Sequence, residues 1–122
     1  MPTCLIVDDS ATMRKIAHKF LSNLGFACSE AVDGAEALAK ARLASPDLVL
    51  LDWEMPVLNG FATLQALRSE AWDHPLRVVM CTTLNDMDQI IAAMQAGADE
   101  YVMKPYDQDI LAEKLRTVGL LA

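Results

Sequence analysis

Four short stretches, residues 4–7, 48–51, 77–81 and 101–103, are apolar at almost every position, and a weaker fifth covers 26–31. Apolar runs without polar alternation predict strands covered on both faces, as in a parallel sheet. The clearest is Leu48-Val49-Leu50-Leu51-Asp52, entered through Pro46-Asp47 and ended before Pro56, which cannot continue a central strand. Between these runs the apolar spacing turns helical. Met13, Ile16, Ala17, Phe20, Leu21 and Leu24 lie between a Ser10 cap and Gly25, and an Ala-rich helix follows the Asp33-Gly34-Ala35-Glu36 start and runs to about Ala44. Asn59 precedes a helix with Phe61, Leu64 and Leu67 on one face, and 69–75 reads as a polar surface loop. Asn85 precedes Met87, Ile90, Ile91 and Met94, closed by Gly97, with Met87 and Met94 expected as core filler. Asp107 starts a last helix with Ile110, Leu111, Leu115 and Val118 inward. Five strands alternating with five helices predict a single α/β domain: a parallel sheet, right-handed crossovers, and helices on both faces.

Composition narrows the classes. The chain has 122 residues, 53% of them hydrophobic and 22% charged, with a net charge of −7. That acidity argues against a nucleic-acid partner. No apolar run reaches the length of a membrane span, and Met1-Pro2-Thr3-Cys4 does not resemble an export signal, so a cytoplasmic protein without a membrane partner is expected. Cys4, Cys28 and Cys81 show no paired spacing and read as reduced, small core residues rather than a disulfide or zinc site.

Four of the five predicted strands end in a chemically capable side chain: Asp8 with Asp9, Asp52, Thr82 and Lys104. In a parallel sheet these ends share one lip, where open α/β sheets bind ligands. Acids and hydroxyls at strand ends often only cap helices, and Ser10, Asp33, Asn59 and Asn85 fit that role. Asp52 does not, because Asn59 already starts the next helix, and Asp9 is redundant beside Asp8. Three carboxylates converging within about 5 Å repel by roughly 3 kcal/mol per pair at an effective dielectric of about 20. Either one is protonated or a cation sits among them, and all-oxygen ligands favour Mg²⁺, with Mn²⁺ as the alternative. Lys104 neutralises part of the cluster. Metal and lysine together suit a dianionic phosphoryl group, for which Asp52 is a candidate carboxylate nucleophile and Thr82 a hydroxyl donor. Thr82 and Thr83 are adjacent and should point to opposite faces, and pattern alone does not choose between them.

Val7-Asp8-Asp9-Ser10 with Met13-Arg14, Asp33-Gly34, Asp52-Trp53-Glu54-Met55-Pro56 with Asn59-Gly60, Ala96-Gly97-Ala98 and Lys104-Pro105 together resemble the receiver domain of two-component response regulators. Within that family the chain is similar to the single-domain, CheY-like chemotaxis regulators. The likeness spans the whole sequence. It implies a flavodoxin-like (βα)5 fold with sheet order 2-1-3-4-5, and one receiver domain over 1–122 with no output domain. It implies that Asp52 accepts phosphate from a phosphohistidine, and that Asp8, Asp9, Asp52 and the backbone carbonyl of Glu54 hold Mg²⁺. Lys104 would contact the phosphoryl oxygens, and the Lys104-Pro105 bond is expected to be cis. The family spacing to the lysine favours Thr82 as switch hydroxyl, with Tyr101 as the aromatic that turns inward. Implied partners are a CheA-like sensor histidine kinase as donor and a downstream protein such as the flagellar motor switch, bound by a monomer through its fourth helix, last strand and last helix. The domain would be no enzyme beyond slow self-phosphorylation from small donors and autodephosphorylation.

The sequence departs from the commonest pattern at Glu54, where an amide is frequent, at Thr83, where a small residue is usual, and at Leu84, often polar. These bear on the phosphoaspartate lifetime, and Glu54 is expected to raise metal affinity or to compete for Lys104. Trp53 reads as a partly covered aromatic at the lip, Trp72 as a loop residue, His18 as a solvated helix residue and His74 as a loop residue. Other roles compete: a phosphate sink or cell-cycle receiver, a small metal-dependent phosphatase, or a flavodoxin-like cofactor binder. For the phosphatase, Asp52-Trp53-Glu54 faintly resembles the paired acids of haloacid-dehalogenase phosphatases; against it, the Thr expected after that pair is absent and no cap domain is expected to enclose a substrate. Against the cofactor binder, Asp8-Asp9 would repel a phosphate at the first strand end.

Overall fold

The buried runs become strands as the pattern requires. In the computed structural model, which describes residues 1–83 and 87–122, β1 (Thr3–Val7), β2 (Ala27–Ala31), β3 (Leu48–Asp52), β4 (Arg77–Thr82) and β5 (Glu100–Met103) form one sheet in the order β2-β1-β3-β4-β5. Every neighbouring pair is parallel. All five residues of the central β3 are buried, which is why its sequence shows no alternation. The helices are α1 (Ala11–Asn23), α2 (Gly34–Ala44), α3 (Gly60–Arg68), α4 (Met87–Gln95) and α5 (Gln108–Thr117). The flavodoxin-like arrangement expected from the sequence is the one observed.

Alternate strand residues feed two cores. On one face Leu5, Val7, Val49, Leu51, Val78 and Met80 pack with Ala37 and Leu38 of α2, Leu64 and Leu67 of α3, and Ala93 of α4. On the other, Cys4, Ile6, Leu48, Leu50, Val79, Cys81 and Val102 meet Ala17 and Leu21 of α1 and Leu111 and Leu115 of α5. All three cysteines are free, and burial pushes the Cys4 and Cys81 thiols up. Among the described residues no helix is long and apolar enough to cross a membrane.

The expected caps form. Ser10, Asp33, Asn59 and Asp107 accept from the backbone N–H groups of Met13, Glu36, Ala62 and Ile110. Gly25 and Gly97 follow α1 and α4 at φ +96° and +108°, a region that suits glycine. The proposed Asn85 cap and Leu84 lie outside the described residues.

Several helix faces differ from the expectation. Met87, Ile91 and Met94 of α4 are 58%, 47% and 40% exposed and do not fill the core; Ile90 and Ala93 do. Ile110 of α5 and Ile16 of α1 also face outward. For α4 and α5 the cause is geometric: they lie toward β5, an edge strand with no further neighbour, so only a narrow stripe of each can reach the sheet. Trp72 is not a free loop residue but half-buried, its indole N–H donating to the Leu67 carbonyl at 2.8 Å. His18 is not simply solvated, since Nδ1 lies 3.0 Å from Glu30 Oε2, and His74 pairs with Asp47 at 3.2 Å.

Candidate functional site

Because β1, β3, β4 and β5 are adjacent and parallel, their C-terminal ends stand side by side. Asp8 follows β1, Asp52 ends β3, Thr82 ends β4 and Lys104 follows β5. Backbone bonds hold these ends beyond the strands themselves: Asp8 N donates to the Ala31 carbonyl at 3.2 Å, Trp53 N to Cys81 at 3.0 Å, and Lys104 N to Thr82 at 2.8 Å. The Lys104-Pro105 bond is cis.

These four ends and Asp9 line one open cleft. The Lys104 ammonium donates to Asp8 Oδ2 at 2.8 Å and to Asp52 Oδ1 at 2.9 Å. One oxygen from each of Asp8, Asp9 and Asp52 lies within 4.8 Å of the others. Asp8 and Asp52 are 6% and 7% exposed, whereas Asp9 is open to solvent. Burial pushes the Asp52 carboxyl above its usual range; the Lys104 hydrogen bond offsets part of this, and the charges of Asp8 and Asp9 add to it. Burial pulls Lys104 down, but its bonds to Asp8 and Asp52 outweigh that and hold it above its ordinary value, firmly cationic. Three carboxylates and one ammonium leave the cluster net negative. The donor set is all oxygen, and its spread suits a hard divalent ion such as Mg²⁺.

Thr82 is buried and Thr83 exposed, yet both line the cleft. The opposite-face expectation fails because β4 ends at Thr82, so strand alternation no longer governs Thr83. Glu54 is exposed on the β3–α3 loop and also lines the cleft. Its expected competition for Lys104 is not realised, since the two Lys104 ion pairs go to Asp8 and Asp52. Trp53 lines the cleft and tilts against Phe61, ring centroids 5.5 Å apart. Tyr101 does not line it; the half-buried ring sits at the sheet edge with the Lys114 ammonium 4.6 Å from its centroid.

Local backbone explains how Asp52 is presented. A Cβ on Gly60 would lie 2.1 Å from the Asp52 carbonyl oxygen, so only glycine lets α3 start against the end of β3. Between them Val57 is held at φ +69°, unusual for a β-branched residue, and is 82% exposed. Sequence reasoning did not pick out Gln89 of α4, which lines the cleft, or Arg14, which donates to the Asp8 carbonyl. Arg14 does belong to the quoted Met13-Arg14 motif, but nothing in a linear pattern says what it grips.

Comparison with known proteins agrees with this geometry. Residues 4–116 match the family model of the response regulator receiver domain. The chain is 41% identical over 115 residues to the chemotaxis protein CheY of Pseudomonas aeruginosa, covering 93% of both proteins. It is 39% identical over 114 residues to the "Probable transcriptional regulator ycf27" of Porphyridium aerugineum, of which it spans only 46%. The structure of chemotaxis protein CheY4 of Vibrio cholerae superposes with a TM-score of 0.90 at 32% identity, covering 97% of this chain and 98% of that one. With the acids, the threonine and the lysine on one lip of a 2-1-3-4-5 sheet, the chain belongs to the response regulator receiver domain family and is CheY-like within it.

Proposed function

We propose that this receiver is a phosphorylation switch in which Asp52 takes a phosphoryl group from a phosphohistidine of a sensor histidine kinase. One observation carries the reading: Lys104 bridges Asp8 and Asp52 while Asp9 stands within the same 4.8 Å cluster. An Asp52 carboxylate oxygen attacks phosphorus, the P–N bond breaks, and its electron pair stays on the imidazole nitrogen, which takes up a proton. Asp8, Asp9, Asp52 and the Glu54 carbonyl would hold Mg²⁺, which offsets the charge on the transferring group. Lys104 would then turn from Asp52 Oδ1 to a phosphoryl oxygen, and Thr82 would hydrogen-bond another. Movement of Thr82 would leave room for Tyr101 to turn inward, and slow hydrolysis of the acyl phosphate would reset the domain.

The output face would be α4, β5 and α5. Met87, Ile91, Met94, Met103 and Ile110 are all at least 37% exposed there, more apolar surface than a solvent-facing edge needs. The two CheY neighbours support a place in chemotaxis, with a CheA-like kinase as donor and a motor-switch protein as target. The partner must bind the two conformations with different affinity. The test is intact-protein mass spectrometry after incubation with acetyl phosphate and Mg²⁺. One added phosphate on wild type and none on Asp52→Asn is expected; phosphate on another residue, or none, overturns the reading. For the output, beryllofluoride should change affinity for the partner, and equal affinities would remove the switch.

A further inference from the structure

Asp8 is gripped from behind as well as from within the cleft. Arg14, in the first turn of α1, donates from Nη1 to the Asp8 backbone carbonyl at 2.7 Å and from Nε to Glu30 Oε1 on β2 at 3.0 Å. The carbonyl belongs to the rigid peptide plane that joins Asp8 to Asp9. Its direction therefore constrains the backbone from which the two carboxylates project. Ser10 N donates to Asp8 Oδ1 at 2.9 Å, so backbone and side chain of Asp8 are both fixed.

Glu30 is in turn held in place. His18 Nδ1 lies 3.0 Å from its second carboxylate oxygen, and Lys40 donates to its backbone carbonyl. Partial burial pushes the Glu30 carboxyl up, but the bonds from His18 and Arg14 outweigh this and hold it below the usual range. The Arg14 side chain is only 15% exposed, well placed to act as a rigid link rather than a mobile surface charge.

We propose that Arg14, oriented by Glu30, is a positioning residue for the divalent-ion site: it fixes the Asp8–Asp9 peptide and so presets the spacing of the carboxylates. This rests on the Mg²⁺ reading given above. The proposal has a sign that plain electrostatics does not share. A guanidinium beside a cation site repels the cation, so as a charge alone Arg14 weakens Mg²⁺ binding. As a clamp it strengthens binding, in the manner of the groups that orient metal ligands from behind.

Calorimetric titration with Mg²⁺ separates the two. Arg14→Gln is expected to raise the Kd about tenfold, the scale seen when such outer partners of metal ligands are lost. Arg14→Lys keeps the charge but cannot make both bonds in one planar fork, and should weaken binding several-fold. The charge-neutral pair Arg14→Gln/Glu30→Gln should match Arg14→Gln, because Glu30 acts through Arg14. Arg14→Gln binding as tightly as wild type, or more tightly, overturns the proposal, and so does an unchanged Kd in Arg14→Lys if the glutamine variant does not fold. Wild type that binds no Mg²⁺ overturns the metal reading itself, and the clamp with it.

Discussion

Asp52→Asn should make the metal-free protein more stable while removing its proposed phosphoacceptor. Asp52 and Asp8 present oxygens within 4.8 Å of each other, and both residues are almost fully buried. At that distance their repulsion is about 3.5 kcal/mol at an effective dielectric of 20. Asp9, being exposed, adds about 1 kcal/mol after screening. Against this, the ion pair from Lys104 to Asp52 Oδ1 at 2.9 Å is attractive by about 6 kcal/mol. An asparagine oxygen still accepts that hydrogen bond from a charged donor, retaining about 1.5–3 kcal/mol. The pairwise terms thus roughly cancel. What remains is the cost of burying one carboxylate charge, which the substitution removes. We expect a net gain of about 1–2 kcal/mol, or several degrees in Tm for a domain of this size. The sign agrees with the raised pKa of Asp52, which says that its surroundings disfavour the charged form. A carboxyl whose folded pKa is raised binds its proton more tightly when folded, so that contribution is present at low pH and lost as pH rises through the folded value. The advantage of Asp52→Asn should therefore be largest near neutral pH and fade on acidification. Thermal melts in a metal chelator, repeated across pH, are the assay. Saturating Mg²⁺ should reverse the order, because at a hundredfold excess over Kd a bound ion adds about 2.7 kcal/mol to wild type alone. An Asp52→Asn variant less stable than wild type in chelator, or Mg²⁺ stabilising both alike, refutes this account.

Three further outcomes follow from single positions. Val57→Gly should raise stability by about 0.5–1 kcal/mol in denaturant melts, since the left-handed backbone costs a non-glycine residue more than glycine's extra unfolded freedom does and the exposed side chain loses little packing; an unchanged or lower midpoint refutes the strain. Gly60→Ala should cost about 3 kcal/mol or more in the same melts, because the added methyl meets the Asp52 carbonyl; a fully stable variant would mean α3 can back away from β3. Mg²⁺ should change the emission of Trp53, which lines the cleft, and leave Trp72 silent against Leu67, so a signal that survives in Trp53→Phe would place the reporter elsewhere.

The strands were legible because burial on two faces leaves one unmistakable signature, most plainly at 48–51, where every residue is apolar and buried. The lip was legible for a related reason: Asp52 is one acid more than the next helix start requires. Helix orientation was read less well. Met87, Ile91 and Met94 share helical spacing with Ile90, and spacing alone does not say which stripe faces the sheet when the neighbouring strand is an edge. Trp72 and His18 were misjudged because apolar spacing does not show the group that fixes each, a backbone carbonyl of α3 at Leu67 in one case and Glu30 of β2 in the other. The Arg14 clamp was hidden for the same reason, since Glu30 lies 16 residues away and the Asp8 carbonyl carries no sequence signal at all.

Lys104 follows Asp8 by 96 residues and Asp52 by 52. During synthesis the acids leave the ribosome long before the ammonium that offsets them. A nascent chain released only through β4 lacks the ammonium that pairs with Asp8 and Asp52 in the finished cleft. Joining the first strand's acid to the last strand's cation is a long-range closure, the class of contact that slows folding. A copy of the chain that stops short of β5 therefore lacks the cation that bridges Asp8 and Asp52, and its cleft is left to the acids.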